Sequence, residues 1–177
     1  MILKLTDAQT IDPAIKQEDL DAFEQAIRAL TNNNFQDINV RASDLTLTGK
    51  TITIARGSTV GLRVGDTVEI NDTLYNNGLY QIKTISPGVI EIDGAREFID
   101  ETALFAIVTK VSYPADIVRG VKKLIEYDVK MAGKTGIKSE TISRMSVTYY
   151  DVNATENTDG YPAALLSFLK KYRKMRW

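Results

Sequence analysis

The chain contains no cysteine and no histidine. Those two absences exclude a disulfide framework, a thiol nucleophile, a thiolate cluster, a histidine-based triad and the usual zinc sites. An excess of either charge is missing too: 22 Lys and Arg stand against 23 Asp and Glu, a formal charge of -1. Any nucleic-acid contact must therefore come from local clustering. No apolar run approaches the ~20 residues needed to span a bilayer. The opening Met1-Ile2-Leu3-Lys4-Leu5-Thr6-Asp7 is too short and too soon charged for a signal peptide, so the expectation is a chain made inside the cell, without a membrane partner. Asn71-Asp72-Thr73 and Asn153-Ala154-Thr155 match the glycosylation pattern, which carries no consequence without secretion. With 177 residues, 44% hydrophobic and 25% charged, the composition is that of a folded globular chain with room for a second small module.

The hydrophobic period changes twice. From Asp12 to Leu30, apolar Leu20, Phe23, Ile27 and Leu30 recur at three- and four-residue steps, which predicts a helix. Asp12 before Pro13, or Asp19 and Asp21, would open it, and Thr31-Asn32-Asn33-Asn34 would stop it. From Ile38 to Val111 the period becomes two, as in Thr51-Ile52-Thr53-Ile54, Thr67-Val68-Glu69-Ile70 and Val89-Ile90-Glu91-Ile92. Gly65-Asp66, Asn76-Asn77-Gly78, Ser86-Pro87-Gly88 and Asp93-Gly94 supply turn chemistry between about six short strands. A small antiparallel barrel or sandwich is expected.

At Pro114 the helical period returns. Ile117, Val118, Val121, Leu124, Ile125 and Val129 form one face, Gly120 would admit a close neighbour, and Gly133 would end the helix. A strand is expected over Arg144–Tyr150, with Met145, Val147 and Tyr149 on one face, then a polar loop over Val152–Gly160. A last helix is expected from Pro162 to Tyr172 with Leu165, Phe168, Leu169 and Tyr172 as its stripe. The fold class is therefore α+β: a small helical core (residues 1–37 and 112–177, three to four helices and a short strand or hairpin) and an inserted antiparallel β-barrel or sandwich-like module (residues 38–111).

Several segments invite a chemical reading and do not sustain it. Gly133-Lys134-Thr135 resembles the end of a phosphate-binding loop, but Asp128 stands where that loop needs glycine, and a helix precedes it rather than a strand. Glu97, Asp100 and Glu101, and likewise Asp66, Glu69 and Asp72, lack calcium-loop spacing and read as solubilising strand-edge charges. Gly57-Ser58-Thr59-Val60-Gly61 reads as a turn rather than an anion nest. No catalytic, cofactor or metal site is expected, and the chain is not expected to be an enzyme.

The C-terminus differs in kind. Lys170, Lys171, Arg173, Lys174 and Arg176 fall within eight residues, interleaved with Tyr172, Met175 and Trp177, and no acid lies beyond Asp159. One or two cations suffice to stabilise a helix end. Five, with aromatic neighbours, point to a partner-binding segment, whose counterpart is an acidic protein surface or nucleic-acid phosphate.

Gly136-Ile137-Lys138-Ser139-Glu140-Thr141-Ile142-Ser143-Arg144-Met145-Ser146-Val147-Thr148-Tyr149, then Tyr161-Pro162 and Leu169-Lys170-Lys171-Tyr172-Arg173, resemble the head–tail connector (adaptor) proteins of tailed phages and prophages of Gram-positive bacteria. The likeness covers residues 114–177 and, loosely, the first helix. It rests on a Lys-Ser-Glu loop, a Ser-Val-Thr-Tyr strand and a Tyr-Pro-opened helix in that order. Relatives often carry glycine where Ser143 stands, and the simpler ones are mainly helical with brief connections in place of residues 38–111.

The resemblance implies a structural virion protein that forms a ring under the portal, completes the head and extends the DNA channel toward the stopper and tail. It implies as partners the portal, neighbouring copies of the chain, a stopper or tail-completion protein, and DNA passing without sequence-specific binding. It assigns Lys170, Lys171, Tyr172, Arg173, Lys174, Arg176 and Trp177 to the portal contact, and makes Lys138, Ser139, Glu140, Arg144 and Tyr149 candidate subunit contacts. The location implied is the head–tail junction of the virion, and the host cytoplasm during assembly. The rival expectation is a nucleic-acid-binding module gripping phosphates with the β unit and the basic tail.

Overall fold

The computed structural model describes residues 1–132, 139–142, 145–148, 157–158 and 160–175. The chain divides into two compact units, one of Met1 with Asn33–Tyr113 and one of Ile2–Asn32 with Pro114–Trp177.

The first unit is a closed barrel of six antiparallel strands: β1 Gln36–Gly49, β2 Thr51–Arg56, β3 Thr67–Asn71, β4 Gly78–Ser86, β5 Val89–Ile92 and β6 Phe98–Val111. Around the barrel the order is β1-β2-β5-β4-β3-β6, closed by β1 against β6. Alternation decides which side chains point inward. Leu45, Leu47, Ile52, Val68, Ile70, Ile82, Ile90, Ile92 and Val108 fill the interior, with the Tyr80 and Phe98 rings packed at a tilt of 57°, 4.9 Å between ring centres. The Tyr80 hydroxyl donates to the Asn76 carbonyl at 3.0 Å, and burial pushes its pKa up.

The expected strand positions are present, and the barrel alternative holds over the sandwich. Asn76-Asn77-Gly78 and Ser86-Pro87-Gly88 lie in the expected hairpins, β3–β4 and β4–β5, whereas Gly65-Asp66 and Asp93-Gly94 lie in crossings from β2 to β3 and from β5 to β6, strands that are not paired with each other. The sheet begins at Gln36, ahead of the expected Ile38. β3 departs from simple alternation, because Thr67 and Glu69 are buried as well as Val68 and Ile70. Polar partners make this possible: Glu69 accepts from Gln36 Nε2 at 2.9 Å, and the Met1 α-amino group donates to Thr67 Oγ1. The loop at Gly57 lies tight against β1, where a Cβ would come 2.8 Å from that of Ala42, and its φ of 112° suits glycine.

The second unit contains α1 Leu5–Gln9, α2 Gln17–Thr31 and α3 Ala115–Met131. It also holds two small antiparallel pairs, β7 Ser139–Ile142 with β8 Met145–Thr148, and β9 Asn157–Thr158 with β10 Tyr161–Pro162, and a terminal 3-10 helix Ser167–Tyr172. The helix expected from Asp12 starts later. Asp12 instead accepts from the Ala14 N–H at 2.9 Å in a local turn, and Asp19 accepts from the Lys16 N–H at 2.8 Å at the true start of α2. Asn32, left-handed at φ 47°, ends it as expected of an asparagine run. Within its apolar face α2 hides Glu24, which accepts from the Ile2 N–H at 3.0 Å.

α3 runs as expected, with Ile117, Val121, Leu124 and Ile125 buried, whereas Val129 is exposed. Pro114 is its N-cap, and the C-cap is Ala132; Gly133 lies outside the described residues. Two expectations are corrected here. Ser139 and Glu140 belong to strand β7 rather than a loop, and part of the polar 152–160 segment pairs as β9. The last helix is also shorter and tighter than expected. Leu165 and Ser167 donate to carbonyls three residues back, Pro162 and Ala164, and only Ser167–Tyr172 is helical. A repeat of three aligns Phe168 with Lys171 and Leu169 with Tyr172 in two eclipsed columns, whereas 3.6 residues per turn would splay them.

Candidate functional site

The C-terminal segment is held along the helical unit by contacts of four kinds. The tip of the Phe168 ring, Cζ with Cε1 and Cε2, lies against Gly120 of α3, so close that any Cβ there would overlap it, and Leu169 beside it is buried. Asp116, in the first turn of α3, receives both the Lys171 ammonium and the Tyr172 hydroxyl, the latter at 2.6 Å. The Lys174 N–H donates to the Thr31 carbonyl at 2.8 Å. Finally, Asn32 Nδ2 donates to the Met175 carbonyl at 3.3 Å. The last two bonds serve carbonyls at the end of α2 and of the chain segment itself, so the backbone is fixed through residue 175.

The charges follow from this. Lys171, Tyr172 and their mutual hydrogen bonds hold the Asp116 carboxyl below its ordinary range, and Asp116 in turn raises both Lys171 and Tyr172. The Lys171 ammonium also sits 5.1 Å from the Tyr172 ring centre. Two of the seven residues assigned to a partner contact are thus engaged in holding the segment. Lys170, Arg173 and Lys174 are exposed beside them, and Arg176 and Trp177 lie outside the described residues. Of the candidate subunit contacts, Ser139 and Glu140 are on β7, and Lys138, Arg144 and Tyr149 lie outside the described residues, as do Gly133, Lys134 and Thr135.

Each acidic cluster has members with structural employment. Asp66 accepts from the Lys110 ammonium at 2.6 Å and from the Arg63 N–H at 2.8 Å. Glu101 accepts from the N–H groups of Leu74 and Tyr75, at 2.7 and 3.4 Å, and from Asn76 Nδ2 at 3.0 Å. Among the described residues, no group of three acidic side chains is arranged to hold a metal ion. The Gly61 carbonyl accepts from Lys110, so the 57–61 loop offers an oxygen at that point where an anion nest would offer N–H groups.

Two features lay beyond the sequence reading. One is a groove of about 480 Å³ in the helical unit, floored by Ile15, Ala22, Phe23, Ala26 and Ile125 and rimmed by Asp12, Asp19, Asp128 and Tyr161. Tyr161 donates to Asp128 at 2.6 Å, and partial burial raises both groups. The other is an apolar surface on the barrel around Phe105. The only available signal for either was spacing, and residues 12, 19, 128 and 161 are too far apart for spacing to join them.

No protein-family model matches the chain, and no curated protein matches it significantly. No helix among the described residues is long and apolar enough to cross a membrane.

Proposed function

We propose that this chain is a structural, non-enzymatic component of a tailed-phage particle. In this reading it is a head–tail connector whose helical unit is the connector core, forming a ring under the portal and extending the DNA channel toward the stopper and tail. The observation that carries the reading is the C-terminal segment: anchored through Phe168, Leu169 and Asp116, it presents exposed Lys170, Arg173 and Lys174 from a fixed backbone. Lys171 and Tyr172 position the segment; Lys170, Arg173 and Lys174, followed by Arg176 and Trp177, meet the portal. The order of motifs through residues 136–173 supports the same assignment.

The physical logic is that of a closed repeating assembly. Identical subunits joined through two different surfaces close into a ring. Many cationic segments held at fixed spacing then bind far more tightly than one, because effective concentration replaces free diffusion. Acidic surface toward the channel lets DNA pass, since cations there would trap phosphates. The nucleic-acid reading is weaker on charge: residues 33–113 carry ten acids against seven cations, so the barrel repels phosphate overall.

Electron microscopy of isolated portal vertices with added chain tests the proposal. A collar at the portal exit is expected, lost in the triple variant Lys170→Glu, Arg173→Glu, Lys174→Glu while far-UV circular dichroism stays native. A collar that survives the triple variant would refute the assignment of the segment, and no collar with the native chain would refute the connector. Salt-dependent DNA binding by the native chain, lost in that variant, would favour the nucleic-acid reading instead.

A further inference from the structure

β6 does not run straight. Ser43 of β1 pairs with Ile107 while Leu45 pairs with Ala103, so residues 104–106 bulge out opposite Asp44. Phe105 occupies that bulge at φ 73° and is 80% exposed, with Leu104 exposed next to it. A bulky side chain at positive φ is a rare and costly conformation. It is held here by the Asp44 carboxylate, which accepts the Phe105 N–H at 3.0 Å and pairs with Arg56. Asp44 and Asp72 share the positive φ, at 58° and 63°.

Beside this bulge runs the loop after β3. Asn71 pairs with Ile107, and Asn76 exchanges hydrogen bonds with both the N–H and the carbonyl of Ile99. The loop is thereby laid along β6, leaving Leu74, Tyr75 and Ile99 exposed as well. Five large apolar side chains thus crowd two adjacent segments, with exposed Asp72, Glu97 and Asp100 among them and no Lys or Arg within 71–76 or 97–106. Arg56 is paired with Asp44, and Arg96 lies over the Tyr80 ring. Apolar clusters with a polar rim mark interaction surfaces.

The same chain carries the chemical complement. On α3, Arg119, Lys123, Glu126 and Lys130 recur at four-, three- and four-residue steps, so they share one exposed face, flanked by Lys122 and the exposed Val129. Long cationic side chains suit this barrel surface: their stems cover aliphatic groups, their heads meet carboxylates, and Arg or Lys sits well over Phe and Tyr rings. Beyond the barrel unit the chain carries fifteen cations against thirteen acids, the opposite balance to the barrel.

We propose that the barrel surface around Phe105 docks on the outer face of α3 in a second copy of this chain. The contact is heterologous, which is the kind that closes a ring, and it gives the inserted barrel a task in the assembly proposed above, on which this inference rests.

The absence of cysteine makes the test clean. Thr102→Cys, exposed on the barrel surface, and Glu126→Cys, in the middle of the α3 face, are combined in one full-length chain and treated with a short bismaleimide, both in concentrated solution and on portal-bound collars. The expected result is a ladder of dimers, trimers and larger species. Asp72→Lys with Asp100→Lys removes the ladder, and adding Arg119→Glu with Lys123→Glu restores it. Absence of a ladder in both settings overturns the contact, as does a ladder indifferent to these charge changes. A collar without a ladder sinks the contact and leaves the connector standing; a ladder without a collar does the reverse.

Discussion

Replacing Gly120 with alanine sets two well-known effects against each other. In a helix interior the substitution ordinarily stabilises by about 1 kcal/mol, because glycine has more backbone freedom to lose. In α3 the added Cβ would occupy the space of the Phe168 ring. Phe168 must then leave a half-buried site, or the packed helices must shift, at a cost of about 1–3 kcal/mol. The expected net result of Gly120→Ala is a loss of about 1 kcal/mol, or about 2–4 °C in Tm for a chain of this size. In a Phe168→Ala background the obstruction is gone, and the same substitution should stabilise by about 1 kcal/mol. The coupling between the two positions is therefore about 2 kcal/mol, well above the additivity error for independent sites. Urea unfolding of the four chains, followed by far-UV circular dichroism, measures it. Stabilisation by Gly120→Ala in the native background would refute the seating of Phe168, and with it the rigid presentation of the cations that follow.

The Asp116 contacts predict a pH window. Its folded-state pKa is depressed, so its contribution is complete above the ordinary carboxylate value near 3.8 and is lost as pH falls through the lowered one; Lys171 and Tyr172 are raised, so theirs is complete below about 10 and lost as pH rises through the raised values. Amide exchange in residues 167–172 should accelerate at both extremes, and Asp116→Asn should abolish the acid limb. Asn76→Ala strips the Ile99 N–H and carbonyl of their partners and should cost about 1–3 kcal/mol of barrel stability by urea titration. Phe105→Gly relieves a positive φ and removes an exposed ring, so barrel stability should hold or rise by about 1 kcal/mol, whereas Leu47→Ala in the fully buried core should lose about 2–5 kcal/mol.

What the sequence disclosed, and what it hid, divides along local and non-local lines. The strands were legible because Ile52 and Ile54, or Ile90 and Ile92, alternate with polar residues and end at glycine turns, all within a few positions. The α3 face and the close approach at Gly120 were legible for the same reason. Closure of β1 on β6 joins residues from 49 positions apart (Gly49 and Phe98) to 75 apart (Gln36 and Val111), and no period reveals it. The Lys171–Asp116 pair, the two hydrogen bonds from Asn76 to Ile99, and the left-handed Phe105 likewise depend on tertiary placement. Local rules misled where a side chain found a nearer partner. Of the openings the spacing allows, Asp12 turned back on Ala14 while Asp19 capped α2, and the stripe expected from Leu165 to Tyr172 tightened into a 3-10 repeat from Ser167.

The connector assignment faces its plainest trial in the particle itself. Lysates from a phage genome lacking this chain should contain portal-bearing heads that lose their DNA and carry no tails, with infectivity restored by supplying the chain in trans. Tailed, DNA-filled, infectious particles formed without it would contradict the assignment outright.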